Sequence, residues 1–225
     1  MNCRDEEGFI IRNAEGIEVW KDCECLVERQ AERLIKSSKI TPEFARKSFD
    51  NFKLENRPQI VRDAHYAAKH YFNNFAEIRN DRKNSMALLG VPGVGKTHLL
   101  MAISNALIKK GTSCSYFPWV ETFNDLKDDF DLLEQKVNYM QKVDVLYIDD
   151  LFKGRKTPTE FQLEQLFAII NYRYLNNKPI LISSEKDIEE ICEIDMGLGS
   201  RIYEMCKDYT VLLTGDLSLN YRLAE

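Results

Sequence analysis

The chain has 225 residues, of which 44% are hydrophobic and 30% charged, and its formal net charge is −5 at pH 7. These values suit one α/β domain with a small appendage, and an acidic chain does not bind duplex DNA by charge alone. The sequence contains no apolar run of about 20 residues and no signal peptide at its N-terminus. We therefore expect a cytoplasmic protein that does not enter a membrane and whose six cysteines are reduced.

The first 45 residues form a separate, small, Cys-containing unit in this prediction. Two β-strand patterns at 8–12 and 17–20 flank a turn, which predicts a hairpin, and a charged helical stretch follows at 26–36. Three cysteines crowd this hairpin, namely Cys3, Cys23 and Cys25. Zinc usually takes four ligands from two paired sets, so we do not favour zinc here, although an incomplete zinc ribbon is an alternative.

Residues 46–225 are predicted to form the main domain. A helix is expected from Pro58 to about Phe75, because its apolar residues share one face. The short apolar run at 86–89 is typical of a buried strand, and the residues after position 97 show the periodicity of a helix as far as Lys109.

The segment between this strand and this helix has the spacing of a phosphate-binding loop. Its pattern G-x-x-x-x-G-K-T is formed by Gly90, Val91, Pro92, Gly93, Val94, Gly95, Lys96 and Thr97. In such a loop the backbone N–H groups surround a polyphosphate, the lysine contacts its β- and γ-phosphates, and the threonine hydroxyl binds Mg²⁺. The sequence therefore predicts binding of a nucleoside triphosphate, and we include His98, the next residue, among the expected contacts.

After this loop, strand and helix patterns alternate, which predicts a parallel sheet covered on both faces. Strands are expected at 113–117, 143–148, 179–184 and 209–213. The segment 157–160 is predicted to be a capping box with Pro158 at the first helical position.

An acidic pair, Asp149 and Asp150, follows the apolar strand 143–148. About 50 residues after a phosphate loop, such a pair typically supplies a Mg²⁺ contact and an acid that orients or deprotonates the attacking water. We assign the metal contact to Asp149, together with Thr97, and the acid to Asp150.

Two further positions complete the predicted constellation. Ser183 and Ser184 end the next strand, where a hydroxyl can sense the γ-phosphate, and we favour Ser184. Arg201 is expected to open a helix after the breaker 197–199. An arginine at this point can stabilise the transition state of a neighbouring subunit, which would make turnover depend on self-association. The alternative interpretations are a strand-end turn and a surface arginine.

The sequence resembles the DnaC/DnaI-type replicative helicase loaders, which are AAA+ ATPases, and especially their phage-borne versions. The likeness extends over nearly the whole chain. Besides the loop and the acidic pair, it rests on the segments FDNF (49–52), DDLFKG (149–154), IINYRYLNNKP (169–179), SSE (183–185), GSRI (199–202) and NYR (220–222).

This resemblance implies ATP as the nucleotide and Mg²⁺ as its cofactor. It implies Lys96, Asp149, Asp150, Ser184 and Arg201 as catalytic residues, and it adds Arg222 as a nucleotide-sensing residue. The implied fold is a three-layer α/β P-loop domain of the AAA+ (ASCE) type, whose five parallel strands have the order 5-1-4-3-2. About twelve residues follow the last predicted strand, so we expect no C-terminal helical lid.

The family binds the hexameric replicative helicase and places it on single-stranded DNA under the control of ATP. We expect the same of this chain, with residues 1–45 contacting the helicase. One alternative is a transposition helper ATPase of the IstB type, although residues 85–225 carry a net charge of −6 and a more basic surface would be expected for duplex DNA. Another is a nucleotide-gated binding module with negligible hydrolysis, because Asp150 is one methylene shorter than glutamate.

Overall fold

The computed structural model describes residues 8–23, 33, 36, 38–120, 130–154 and 157–223. The predicted hairpin is confirmed, because β1 (Gly8–Arg12) pairs antiparallel with β2 (Glu18–Asp22). Cys3, Cys25 and most of the helix predicted at 26–36 lie outside the described residues. Cys23 is buried, and no group of three or more His, Cys, Asp or Glu side chains suited to a metal occurs in the described part.

The main domain is built on a parallel sheet of five strands. Their bounds are β3 (Met86–Gly90), β4 (Cys114–Pro118), β5 (Val145–Leu151), β6 (Ile180–Ser184) and β7 (Thr210–Leu213). They lie in the order β4-β5-β6-β3-β7, and every neighbouring pair is parallel. Read from the β7 edge, this is the predicted order 5-1-4-3-2.

Helices cover both faces of the sheet. They are α1 (Gln59–Ile78), α2 (Lys96–Lys109), α3 (Phe130–Lys142), α4 (Glu160–Leu175), α5 (Ile188–Ile194) and α6 (Met196–Cys206). Because strand side chains alternate between faces, Leu88 packs in the core under α1 and α2, whereas Ala87 and Leu89 pack in the core under α4, α5 and α6. The predicted three-layer α/β sandwich is confirmed. None of the described helices is long and apolar enough to cross a membrane.

The predicted start of α4 is wrong by two residues. The N-cap is Thr159, whose side chain accepts from the backbone N–H of Gln162, while the Gln162 side chain accepts from the N–H of Thr159. Glu160 lies three residues after Thr157 and Gln162 three residues after Thr159, so the sequence permits a capping box at either threonine, and the structure forms the second. Pro158 therefore precedes the cap instead of occupying the first helical turn.

The predicted breaker at 197–199 is also wrong, because both of its glycines lie inside α6. Asp195 caps this helix by accepting from the N–H of Leu198 at 2.8 Å. A Cβ at Gly199 would lie 2.7 Å from the Cα of Cys192, so this glycine permits α6 to pack closely against α5. Arg201 consequently lies in the middle of α6 and not at its start.

A buried arginine joins α4 to the edge of the sheet where β5 and β6 begin. Arg173 is fully buried, and its guanidinium donates to the carbonyls of Met140, Val143, Asp144 and Pro179 at 2.6–2.9 Å. These hydrogen bonds satisfy the two terminal nitrogens of the buried guanidinium and so stabilise the fold, whereas Nε has no partner among the described residues. This residue, which belongs to the segment 169–179, therefore has a structural position far from the phosphate loop.

Candidate nucleotide-binding site

The phosphate loop lies between β3 and α2, as its sequence predicts. Gly90, Gly93 and Gly95 have φ angles of 112°, 76° and 105°, which are readily available only to glycine. A Cβ at Gly95 would lie 2.7 Å from the ring of Phe52. Helix α2 begins at Lys96, directly after the loop, so its positive N-terminal end is at the site where an anion would bind.

Lys96 places its ammonium group inside this loop. The side chain is 5% exposed, and Nζ donates to the carbonyl oxygens of Gly90 at 2.7 Å and Val91 at 2.8 Å. Burial is the largest influence on the pKa of Lys96 and lowers it, while the charges of Asp150 and Glu185 oppose this effect. A desolvated cation that is held only by neutral carbonyls is prepared to bind an anion.

Asp149 is the centre of a hydroxyl network below the loop. Its Oδ1 accepts from Thr97 Oγ1 at 3.1 Å, Tyr147 OH at 2.5 Å and Ser183 Oγ at 2.5 Å. Its Oδ2 accepts from Tyr116 OH at 3.0 Å. Four hydroxyl groups from β4, β5, β6 and α2 therefore fix one buried carboxylate, and this network brings together Thr97 and Asp149 as predicted.

Asp150 has a different environment, although it is the next residue. Its φ is +54°, in the left-handed region, and its backbone N–H donates to Ser183 Oγ at 2.8 Å. Its carboxylate accepts from Lys153 Nζ at 2.8 Å, and the same ammonium lies 3.2 Å from Glu185. The structure thus places the candidate acid in an ion-paired rim around the site.

The serine that reaches Asp149 is Ser183 and not Ser184, which we favoured as the γ-phosphate sensor. The pairing of β5 with β6 passes from Ile148 opposite Ile182 to Leu151 opposite Ser184, so β5 contains one extra residue. This bulge directs the Ser184 hydroxyl to the carbonyl of Leu151 at 2.7 Å. Sequence reasoning placed both serines at the correct edge but could not locate the bulge.

Tyr116 and Tyr147 are functional-site residues that the sequence analysis missed. Both lie within apolar strand patterns, in which a tyrosine is normally interpreted as a residue of the hydrophobic core. The position of Tyr147 two residues before Asp149 could have revealed it, since side chains at i and i+2 of a strand share a face, whereas Tyr116 reaches Asp149 from a neighbouring strand.

A cavity of about 700 Å³ surrounds the loop and the acidic pair. The C-terminal segment forms part of its wall: the N–H of Tyr221 donates to the carbonyl of Gly93 at 2.9 Å, and Arg222 lines the cavity. Buried Arg57 holds this segment by donating to the carbonyl of Leu219 at 2.8 Å. Arg222 thus lies on the wall of the cavity in which the resemblance places it.

His98 also lines the cavity, but its ring is hydrogen-bonded to the segment 48–51. Its Nε2 is 3.0 Å from the carbonyl oxygen of Ser48 and 2.9 Å from Oδ1 of Asn51. That Oδ1 also accepts from the backbone N–H of Ser48, so both partners are acceptors and Nε2 carries the hydrogen. His98 therefore holds the segment 48–51 beside the phosphate loop.

Arg201 is not part of the wall of this cavity. Its Nε donates to Asn171 Oδ1 at 3.0 Å and its Nη1 to the carbonyl of Gly197 at 2.8 Å. The guanidinium also lies 5.0 Å from the ring centroid of Phe167 and 5.4 Å from that of Tyr174. Within one subunit, the structure does not bring Arg201 to the phosphate loop.

The residues at the foot of the loop fit a magnesium ion. Mg²⁺ prefers hydroxyl, carboxylate and phosphate oxygens, and the Thr97 hydroxyl and the Asp149 carboxylate are already in contact. The hydroxyls of Tyr116, Tyr147 and Ser183, which contact the same carboxylate, are further oxygen donors. The donor set is therefore that of a hard divalent cation.

Comparison with known proteins shows the family to which the chain belongs. The bacterial DnaA ATPase domain matches residues 45–206. The chain belongs to this family of AAA+ ATPases. Within it, the chain is 49% identical to the phage-like element PBSX protein XkdC of Bacillus subtilis, over 99% of this chain and 85% of that protein.

Two further relatives and one solved structure are also similar to the chain. The chain is 28% identical to a crystal structure of DnaI, with a TM-score of 0.66, over 84% of this chain and 98% of that one. It is 27% identical to the replicative helicase loader DnaC of Escherichia coli, over 77% of this chain and 68% of DnaC. It is 30% identical to a putative ATP-binding protein of insertion sequence IS5376 from Geobacillus stearothermophilus, over 89% and 77% of the two chains. The chain is accordingly a DnaC/DnaI-type AAA+ protein, similar to a phage-element protein.

Proposed function

We propose that this protein binds and hydrolyses ATP and uses the cycle to place a hexameric replicative helicase on single-stranded DNA. The observation that carries the nucleotide part is the contact between Thr97 and Asp149 directly below the phosphate loop. The helicase part is supported by the likeness to DnaC, whose name states that function, and to DnaI.

Different residues of the site contact the phosphates of ATP and the magnesium ion. The phosphates of ATP are stronger acceptors for the Lys96 ammonium than the carbonyls of Gly90 and Val91 that it now contacts. Thr97 and Asp149 would hold Mg²⁺, which when bound neutralises charge on the β- and γ-phosphates. Ser183 keeps the Asp149 carboxylate in place by donating to it.

Hydrolysis assigns a separate role to Asp150. The oxygen of a water molecule forms a bond to the γ-phosphorus while the bond to the bridging oxygen breaks, and ADP leaves with that electron pair. Asp150 orients this water and accepts its proton. Ser183 supports both acids, because its hydroxyl donates to Asp149 and accepts from the backbone N–H of Asp150.

Self-association completes the site in this proposal. Arg201 lies outside the cavity of its own subunit, so it acts only on the ATP of a neighbouring one. A positive charge supplied in this way stabilises the transition state of phosphoryl transfer. ATP therefore controls both turnover and the contact between subunits.

The N-terminal unit, residues 1–45, is the proposed contact with the helicase. On its hairpin Ile10 lies directly opposite Trp20, and these side chains are 64% and 55% exposed. Two large apolar side chains on one exposed face are suited to a protein partner. The main domain, residues 46–225, then carries the ATPase.

The 30% identity to an insertion-sequence protein supports a second candidate, a transposition helper ATPase acting on duplex DNA. A third candidate, a nucleotide-gated module with negligible hydrolysis, is supported by the ion pair that occupies Asp150. The three candidates differ in partner and in turnover.

Affinity capture from a host lysate, followed by a turnover assay, distinguishes them. We expect the immobilised protein to retain the hexameric helicase in the presence of ATP. Capture of a transposase, with preference for duplex over single-stranded DNA, would favour the second candidate, and ATP binding without phosphate release would favour the third. Ile10→Asp should abolish helicase capture, whereas Leu175→Asp, at another exposed apolar side chain, should leave it unchanged.

A further inference from the structure

The cavity around the phosphate loop contains a second ammonium group besides that of Lys96. Lys153, at the end of the acidic motif, is part of the wall of the same cavity. Its Nζ lies 2.8 Å from Asp150 Oδ2 and 3.2 Å from Glu185 Oε1. One cation is thus shared by two carboxylates from the ends of neighbouring strands.

This ion pair is exposed enough to exchange partners. Between 32% and 41% of each of the three side chains is accessible. Ion pairs at such positions contribute only about 0.2–1 kcal/mol, because water competes for both charges. A phosphate group of higher charge that enters the cavity can therefore take the ammonium from a single carboxylate.

The backbone keeps Lys153 close to the reacting groups. Asp150 and Phe152 both have left-handed φ angles, of 54° and 62°, and the N–H of Lys153 donates to the carbonyl of Asp150 at 3.0 Å. Because the chain turns tightly here, the lysine side chain returns over the acidic pair. Gly154, with φ of 97°, follows this turn, and no atom of the described residues lies within 4 Å of the position that a Cβ would take there.

We propose that Lys153 is a second phosphate-binding cation, which Asp150 and Glu185 hold until the terminal phosphate of ATP arrives. Transfer of Lys153 to this phosphate leaves the Asp150 carboxylate free to orient the attacking water. ADP lacks the terminal phosphate, so it leaves the ion pair intact. Lys153 thereby distinguishes ATP from ADP, and this inference depends on the nucleotide site proposed above.

The test compares the affinities of the full-length protein for ADP and for a non-hydrolysable ATP analogue by titration calorimetry. Lys153→Met should weaken binding of the analogue by up to about fivefold, the upper end of the range for one exposed ion pair, and leave ADP binding unchanged. Lys153→Arg should restore most of the difference. Equal effects of Lys153→Met on both nucleotides, or no effect on either, would overturn the proposal.

Glu185→Gln provides an independent variant with the opposite sign. It removes one of the two carboxylates that hold Lys153, so the preference for the ATP analogue over ADP should increase. In the double variant with Lys153→Met this increase should disappear, and its persistence would contradict the assignment. If the wild-type protein bound neither nucleotide, the proposed function itself would fail, which is a different result from any of these.

Discussion

Ser183 Oγ donates to Asp149 Oδ1 across the neighbouring strands β6 and β5. The same hydroxyl accepts from the backbone N–H of Asp150. Ser183→Ala should therefore reduce ATP turnover about tenfold to a hundredfold, the range for a lost hydrogen bond to a charged group, while the affinity for ATP changes less. Steady-state kinetics would separate kcat from KM.

The matched control is Ser184→Ala, one residue further along the same strand. Its hydroxyl contacts the carbonyl of Leu151 and not an acid, so turnover should remain near that of the wild type. A larger effect on kcat from Ser184→Ala than from Ser183→Ala would contradict this assignment and return the sensor to Ser184.

Lys96→Ala should weaken ATP binding about tenfold to a hundredfold, because it removes the only ammonium held inside the phosphate loop among the described residues. Lys109→Ala, at the exposed end of the same helix, is the control for general effects of charge. Binding of a fluorescent ATP analogue would measure both variants. Undiminished affinity in Lys96→Ala would refute the nucleotide site.

Arg201→Ala should leave ATP binding intact and lower turnover by up to about 10³-fold in assemblies. Mixing this variant with Asp150→Asn should restore phosphate release, since the first retains a complete site and the second supplies the arginine. Unchanged turnover of Arg201→Ala at high protein concentration would exclude the role, as would an inactive mixture of two variants that are each folded.

Arg173→Met should lower the free energy of unfolding by about 3–5 kcal/mol, because four carbonyls lose their hydrogen bonds to the buried guanidinium. Denaturant unfolding would measure this change. Arg79→Met, at an incompletely buried position at the end of α1, is the control. A loss below about 1 kcal/mol would show that the carbonyls find other partners.

Acidification should destabilise the packing of the segment 48–52 against α1 and α2. Burial lowers the pKa of His65, whose ring stacks on Phe52, and of His98, whose ring packs perpendicular to Phe52. The folded state therefore favours neutral imidazole, so stability is complete above the unfolded pKa of about 6.5 and is lost as the pH falls below it.

Thermal unfolding at pH 7.5 and pH 5.5 would measure this dependence. His98→Gln should reduce the difference between the two melting temperatures, whereas His70→Gln, at an exposed ring, should not. A larger acid sensitivity in His98→Gln than in the wild type would contradict the prediction.

The sequence was sufficient to predict the phosphate loop and the acidic pair, because both depend on local patterns, such as an apolar strand followed by glycines or by two aspartates. The order of the strands was implied by the resemblance to the helicase loaders and not by these patterns. What the sequence could not predict depends on contacts between distant residues. The hydroxyls of Tyr116 and Ser183 meet Asp149 only because three strands lie side by side with a bulge in β5.

The two errors at helix termini have a similar cause. Both Thr157 and Thr159 have the chemistry of an N-cap, and the structure selects the one whose partner Gln162 can bond back. Gly197 and Gly199 usually interrupt a helix, but Gly199 is required inside α6 because Cys192 packs against it. In both cases the outcome depends on which contacts form in the folded chain, and local propensity does not predict it.

The position of β3 between β6 and β7 has a consequence for synthesis of the protein. The strand that carries the phosphate loop is complete at residue 90, but its two neighbours end at residues 184 and 213. Until residues 180–184 have left the ribosome, this strand has no partner on either side, and until residues 210–213 have left it, one side stays unpaired. A nascent or truncated chain that lacks these residues therefore cannot assemble the sheet around the loop, and competence for ATP arises only after both neighbouring strands have been made.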